Sequence, residues 1–459
     1  MSGQFGILFL NPDFRRDAGC NISLLSLIKG LDSRFHAVVA TPADSEFAKL
    51  LRAWNIEVVD YRMNSWWYPD IEHFFRTASG FQTRVQYMVG LIHERQLQLV
   101  HTNAEYAFEG ALAAALANVP HVWNIRQIYG ADMDILRFFP LTPVALGEIM
   151  SGLSARIVLN AQPLASTFPP NIPLEKFSII PSGIELVDPP DKDAARTVLL
   201  RRLNLPEDAR VIITMGRISP EKDLATFIET ARKLVRESRH ENLRFVHFGN
   251  VYNAVYFEQL QVSLGNLDSI FTFAGPVDTP LEVLRGADAL LFTSTAFEGL
   301  ARVCLEALLM ELPVVATRCL GPEEYLLHGQ TALLAEPGDA DTLASHIETL
   351  LDNPGYGETL AKNGNSLVKS RYDENRVNEQ WMALYDELDA AGCTQPASHA
   401  STEVAINLVS LCGQLGEQIG QQEKRLRDLE RLARFIEWPS RLGKQLLKTL
   451  GLFFGKGQG

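Results

Sequence analysis

Along residues 5–390 short apolar runs alternate with amphipathic stretches. In the first half "FGILFL" (5–10), "FHAVVAT" (35–41), "LQLVHT" (97–102), "HVWNI" (121–125), "ARIVLN" (155–160) and "FSIIPS" (177–182) read as strands. "NISLLSLIKGL" (21–31) and "AFEGALAAALANV" (107–119) lie between them and read as amphipathic helices. The plan repeats with "RVIITMG" (210–216), "LRFVHFG" (243–249), "IFTFAG" (270–275), "ALLFTS" (289–294) and "PVVAT" (313–317). Strands that are apolar throughout and alternate with helices predict parallel sheets covered on both faces. The predicted fold class is therefore α/β: two doubly wound, Rossmann-like domains, residues 1–186 and 209–390, facing a central cleft. Residues 187–208 carry prolines at both ends and a polar middle, and read as the interdomain linker. Ligands of such sheets sit at the carboxyl ends of the strands, so the cleft is expected there.

The pattern changes after a small-residue linker at 391–403. Leu408, Leu411, Leu415, Gln418 and Gln422 keep a 3–4 spacing, and Leu426, Leu429, Ala433 and Ile436 resume it one step out of register. With "QQEKRLRDLERLAR" this predicts a charged amphipathic helix over 404–438, a coiled-coil candidate able to pair two chains. Pro439 breaks it. Residues 440–459 carry four cations, no acids and a stripe of Leu442, Leu446, Leu450 and Phe453. A basic amphipathic helix of this kind suits a membrane surface; docking on the body is the alternative.

A chain of 459 residues exceeds what one core supports, in line with two domains. The net charge of −13 argues against nucleic acid as a partner, since no basic excess exists to displace counterions. Five scattered cysteines without a CxxC spacing suit free thiols and a reducing compartment. "MSGQFGILFLNPD" lacks a basic n-region and reads as a first strand, and no apolar run approaches the ~18 residues of a spanning helix. A cytoplasmic protein is expected, peripheral on a membrane if the tail binds one.

Two stretches carry chemistry. In "TMGRISPEKD" a strand runs into Gly216, then Arg217 and Lys222. Glycine lets backbone approach a phosphate, arginine forks onto two oxygens, and lysine adds a mobile charge. A surface turn with two solvated cations is the alternative. No GxGxxG or GxxxxGK[ST] string stands at a strand-to-helix turn. In the first domain Gly19 precedes a helix capped by Asn21 or Ser23, either a plain capped helix or an anion site. The second stretch is "FEGLARVCLEALLMELPVVAT" (297–317). Leu305, Leu308, Leu309 and Leu312 share one helix face, and Glu306 stands roughly 110° from it by the 100° step. Glu298 precedes Glu306 by eight residues, about 12 Å if both were helical. Carboxylates so spaced at the cleft would serve hydroxyls at the two ends of an extended ligand.

"GRISPEK", "FEGLARVCLEALLMELPVVAT" and "GPEEYLLHGQTALLAEPGDADTLASHIETLLDNP", with "HVWNIRQI" and "KFSIIPSGIEL" upstream, resemble the retaining glycosyltransferases of family 4, which have the two-domain GT-B fold. The resemblance spans about residues 5 to 390 and is strongest in the second domain. It implies sugar transfer from a nucleotide-diphosphate donor to a glycan or lipid-linked acceptor, with retention, as in cell-envelope polysaccharide or glycolipid synthesis. By similarity Arg217 and Lys222 would hold the diphosphate, Glu306 the ribose hydroxyls and Glu298 the donor sugar. Gly216, Gly299 and the loop of Gly19 would let backbone approach the donor, and the turn after "PVVAT" would add N–H groups, with Glu324 near the donor.

The first domain would take the acceptor. Its aromatic segment 61–81 includes Trp66 and Trp67, which would stack on a sugar or form a core cluster under a loop. His101 matches a frequent family histidine and reads as a strand-end hydrogen bond or a sugar contact. Many family members carry a histidine where Asn124 and Arg126 stand, asparagine at Ser182, and a small or turn residue at Ala301 and Arg302. Two fixed cations would stabilise the departing diphosphate, a scheme without a metal or other cofactor. "DMD" (132–134) and "DAD" (339–341) have the form of metal–nucleotide strings, but both read as helix starts. A nucleotide-sugar epimerase of the same fold and a non-catalytic assembly protein acting through its tail are the rival readings.

Overall fold

The computed structural model describes residues 4–12, 19–62, 80–104, 107–126, 143–295 and 298–391, with single positions 403, 407, 414 and 425. Trp66, Trp67, the DMD string and the 440–459 stripe lie outside the described residues.

The first domain holds a seven-stranded parallel sheet in the order β3-β2-β1-β4-β5-β6-β7. Its strands are β1 Phe5–Leu10, β2 Phe35–Thr41, β3 Glu57–Asp60, β4 Leu99–Thr102, β5 His121–Ile125, β6 Arg156–Leu159 and β7 Phe177–Ile179. Leu8 faces Val38 on one side and Val100 on the other, so every residue of β1 is buried. The second domain holds six parallel strands in the order β10-β9-β8-β11-β12-β13. These are β8 Arg210–Met215, β9 Leu243–Phe248, β10 Phe271–Gly275, β11 Ala289–Phe292, β12 Val314–Thr317 and β13 Leu333–Ala335. In both sheets the strand order reverses at the opening strand, β1 and β8. That reversal opens a crevice at the carboxyl end, where Gly19 and Gly216 follow. β3 and β13 escape the pattern reading because they are edge strands of four and three residues.

Helices cover both faces: α1 Gly19–Gly30, α2 Glu46–Ala53, α3 Phe81–Glu94, α4 Phe108–Ala117 and α5 Pro143–Leu153 in the first domain. The second has α6 Lys192–Leu203, α7 Leu224–Glu237, α8 Ala254–Leu264, α9 Pro280–Gly286, α10 Arg302–Leu309, α11 Ala340–Asp352 and α12 Pro354–Arg371. Residues 187–208 are thus more than a connection. Asp191 caps α6 through the Ala194 N–H at 2.9 Å, and Leu199 and Leu200 enter the core with Val211 and Leu284. Only three of its twelve residues are buried, which made it read as polar linker. Asp339 of the DAD string caps α11, accepting from the Thr342 N–H at 3.0 Å and its hydroxyl at 2.6 Å.

Helix α13, Glu374–Ala390, returns to the first domain. Val377, Trp381, Tyr385 and Leu388 recur at helical spacing and pack with Phe5, Phe9 and Leu24. Arg34 pairs with Asp386 at 2.7 Å, and Arg156 with Glu387, across this contact. The two crossings between domains run side by side. The Ile184 N–H donates to the Tyr372 carbonyl at 2.8 Å, and the Glu374 N–H to the Ile184 carbonyl at 3.0 Å. In the tail Glu403, Asn407, Gln414 and Arg425 are helical and exposed. Among the described residues no helix is long and apolar enough to cross a membrane. Cys20, Cys304 and Cys319 are free thiols.

Candidate functional site

β8 runs out into Gly216, whose φ of +152° favours glycine. No atom lies within 4 Å of where its Cβ would stand, so the backbone there is open to an incoming group. The Arg217 guanidinium carbon lies 4.8 Å from the Tyr252 ring centroid, a cation–π stack. Its Nη2 lies 3.3 Å from Glu221 Oε1, which also accepts from the Ser219 hydroxyl at 2.5 Å. A single 3₁₀ turn, Pro220–Lys222, then delivers Lys222. The Lys222 ammonium donates to Glu298 Oε1 at 2.5 Å, with the two side chains 18% and 17% exposed. It also sits 5.8 Å from the Phe292 ring centroid. The Thr295 N–H on the Glu221 carbonyl (3.0 Å) and the Thr293 hydroxyl on the Lys222 carbonyl (3.1 Å) tie these loops together.

The residues read as diphosphate ligands are therefore charge-paired, Arg217 with Glu221 and Lys222 with Glu298. A third pair follows in α10. Arg302 Nε donates to Glu306 Oε1 at 2.8 Å, while Leu305, Leu308 and Leu309 are buried on the sheet side. Burial pushes the Glu306 carboxyl above its usual range, and the Arg302 charge opposes that. Ala301, which precedes the helix, is left-handed at φ +50°.

The turn after β12, read as a source of N–H donors, already uses several of them. Arg318 N–H donates to the Ala335 carbonyl, Gly321 N–H to Glu298, Glu323 N–H to Cys319 and Glu324 N–H to Gly321. A compact turn that closes on itself uses its own donors first. The Glu324 carboxylate instead reaches the first domain and accepts from the Gln162 N–H at 2.7 Å. Its carboxyl is raised by burial, with that N–H opposing. Gly299 touches the first domain too: a Cβ there would run into the Arg126 carbonyl oxygen. Both residues thus sit at the domain contact.

On the facing side Gly19 opens α1, and among the described residues no atom beyond its own helix backbone and chain neighbours lies within 4 Å of its Cβ position. Arg126 lies beyond β5. Its Nε and Nη2 donate to Asn103 Oδ1 at 3.2 and 2.9 Å, and its Nη1 to the Ser182 hydroxyl at 2.8 Å. Asn103 in turn donates to Asn11 Oδ1 at 3.0 Å. His101 is fully buried and its Nδ1 lies 2.7 Å from the Tyr385 hydroxyl. Burial holds its imidazole well below the usual range, so it is a neutral strut under α13. Reading from sequence missed Glu221, Tyr252 and Arg302. Glu221 was visible in "SPEKD" as a helix-start acid; the other two depend on tertiary contacts. Among the described residues, His240, Glu348 and Asp352 come within 4.8 Å of one another, but Asp352 already accepts from Arg239 and His240.

The family model described as Glycosyl transferases group 1 matches residues 196–367. A lipopolysaccharide core biosynthesis glycosyltransferase, LpsD of Rhizobium meliloti, is 29% identical over 184 residues, 40% of this chain and 51% of that protein. A lipopolysaccharide 1,2-N-acetylglucosaminetransferase of Salmonella typhimurium is 27% identical over 248 residues, 51% of this chain and 63% of that protein. The chain thus spans about half the length of the curated relatives it matches. Anabaena HepE, solved in complex with UDP-glucose, superposes with a TM-score of 0.70 at 22% identity, covering 84% of this chain and all of that one. The fold is GT-B.

Proposed function

We propose that this protein is a retaining glycosyltransferase, moving a sugar from a nucleotide-diphosphate donor to a glycan or lipid-linked acceptor in envelope polysaccharide or glycolipid synthesis. The observation that carries the reading is the pairing of Arg217 with Glu221 and Lys222 with Glu298 at the switch point of the second sheet, against the first domain. A diphosphate entering beside Gly216 would take over both cations. Glu298, released from Lys222, would turn to the hydroxyls of the donor sugar, and Glu306 would accept from the ribose. Fixed cations in a narrow cleft stabilise the charge that develops on the leaving diphosphate without reorganising. The departing phosphate would take the acceptor's proton. The two side chains supply the charge this scheme requires, so a metal has no assigned part. The first domain would supply the acceptor surface, and the basic stripe at 440–459 would hold the enzyme on an anionic membrane.

The test is a screen of nucleotide-diphosphate sugars by calorimetry, followed by assay of nucleoside diphosphate release with glycan and lipid-linked acceptors. One donor class should bind, and release should need an acceptor, survive EDTA, and give a product with the donor's anomeric configuration. Full-length protein should sediment with anionic vesicles. Isomerisation of the donor without an acceptor would establish the epimerase reading instead, and no donor binding at all the non-catalytic one.

A further inference from the structure

Arg302 stands in a place that ordinary helix energetics disfavour. It is the first residue of α10, where the positive end of the helix dipole repels a cation, and no acid occupies that first turn. Its pairing with Glu306 runs cation first, the weaker of the two i,i+4 orders. Helix stability therefore does not account for it. Two contacts do: Nε on Glu306 at 2.8 Å, and Nη1 on the Gly183 carbonyl at 3.0 Å. Gly183 belongs to the crossing from the first domain. It packs so closely on the return crossing that a Cβ there would strike the Glu374 backbone. Its neighbour Ile184 is bonded to Tyr372 and Glu374 on both sides, which fixes the Gly183 carbonyl in space. The Glu374 carboxylate is turned away, accepting from the Ser26 hydroxyl at 2.6 Å.

We infer that Arg302 is a positioning residue that orients Glu306 for a nucleotide's ribose hydroxyls and ties it to the interdomain crossing through the Gly183 carbonyl. The inference rests on the donor-site reading above. One guanidinium thereby spans three parts of the molecule: the carboxylate read as the ribose site, the helix start and the interdomain crossing. Among the described residues the influences acting on Glu306 are burial, which raises its carboxyl, and the Arg302 charge with its hydrogen bond, which lower it. The carboxylate accepts from hydroxyls above its titration point and loses that capacity as pH falls through it. Removing Arg302 moves that window upward, toward neutrality.

The experiment measures binding of UDP, GDP and ADP to the full chain, wild type and Arg302→Met, between pH 5.5 and 8.5. The terminal phosphate of a nucleoside diphosphate itself titrates in this range, so each affinity is taken as a ratio to that of the 2′,3′-dideoxy form of the same nucleotide. On that ratio Arg302→Met should weaken toward acid pH by at least ~10-fold more than wild type does. Arg302→Lys keeps a charge beside Glu306 but lacks the fork, so its ratio should follow the wild-type pH course yet be lower throughout. It serves as well where the methionine variant does not fold, because a lysine ratio that falls more steeply than wild type overturns the inference. An Arg302→Met ratio that runs parallel to wild type also overturns it; with Glu306→Ala still weakening the nucleotide, the donor-site reading survives. Equal binding by wild type and Glu306→Ala removes the ribose role, and both readings fall.

Discussion

The two domains share an architecture and a switch point, yet the carboxyl edges of their sheets are built from opposite chemistry. On the first domain the edge is a net of amides and hydroxyls: Asn11, Asn103, Asn124 and Ser182 around the Arg126 guanidinium. On the second it is a set of ion pairs, Arg217 with Glu221, Lys222 with Glu298 and Arg302 with Glu306. Amide nets are directional and hard to displace, because each buried donor or acceptor left unmet carries its full desolvation penalty. A partly exposed ion pair is different. Its net worth is small, and another anion takes the cation at little cost. The charged edge is thus the one prepared to exchange a carboxylate for a phosphate, and the amide edge the one prepared to keep its shape.

The sharpest break of that comparison is at the charged edge. Lys222→Ala and Arg217→Ala should each lower turnover by at least ~10²-fold, the scale for losing one preorganised charge on a leaving group. Thermal stability should barely move for Arg217→Ala, whose pair is 36% and 39% exposed, and should fall for Lys222→Ala, which leaves the mostly buried Glu298 without its cation. Steady-state kinetics and a melting curve read both. If either variant unfolds the protein while its residual folded fraction keeps wild-type turnover, the pairs are structural and the contrast between edges disappears.

The amide edge should answer in the opposite way. Asn103 is almost wholly buried and bonds Asn11, Asn124 and Arg126, as well as the Cys20 carbonyl at 3.4 Å. Asn103→Ala should cost ~1–3 kcal/mol in denaturant unfolding, the penalty for buried groups left unmet. Nucleoside diphosphate affinity should stay within about 2-fold, because the cations of the second domain are untouched and ~0.4 kcal/mol is all that such a change represents. A large loss of nucleotide affinity at unchanged stability would place the diphosphate against the first domain instead.

How much of this was legible beforehand follows the same division. Parallel strands buried on both faces leave continuous apolar runs, so β1, β2, β5 and β8 stand out in the sequence nearly to the residue. The edge strands "EVVD" and "LLA" are too short to show. α6 hid in a segment read as linker because few of its residues face the core. At the site, the residue types at Arg217, Lys222, Glu298 and Glu306 were legible from their spacing and turn glycine. Their partners were not. Lys222 and Glu298 are 76 residues apart, and Arg302 and Gly183 119 apart, so only the closed chain brings them together. Which N–H groups after β12 are already bonded was hidden for a related reason: whether a turn uses its own donors depends on how tightly it closes.

The smallest effect belongs to the entry into α10, where the charged edge pays for its geometry. Ala301 holds a left-handed φ of +50°, which costs a residue with a Cβ ~1–2 kcal/mol. Ala301→Gly removes that strain. It also deletes a buried methyl, worth ~0.8 kcal/mol, and loosens the unfolded chain by ~0.4–1 kcal/mol. The terms nearly cancel, so the variant should unfold within ~1 kcal/mol of wild type, although glycine replaces alanine at an 8%-exposed core position. Ala301→Val should be far worse, since a β-branched side chain resists positive φ. Equilibrium unfolding of both variants decides the matter. A glycine variant destabilised by more than ~2 kcal/mol would show the methyl, and not the backbone turn, to be what seats Arg302 over Glu306.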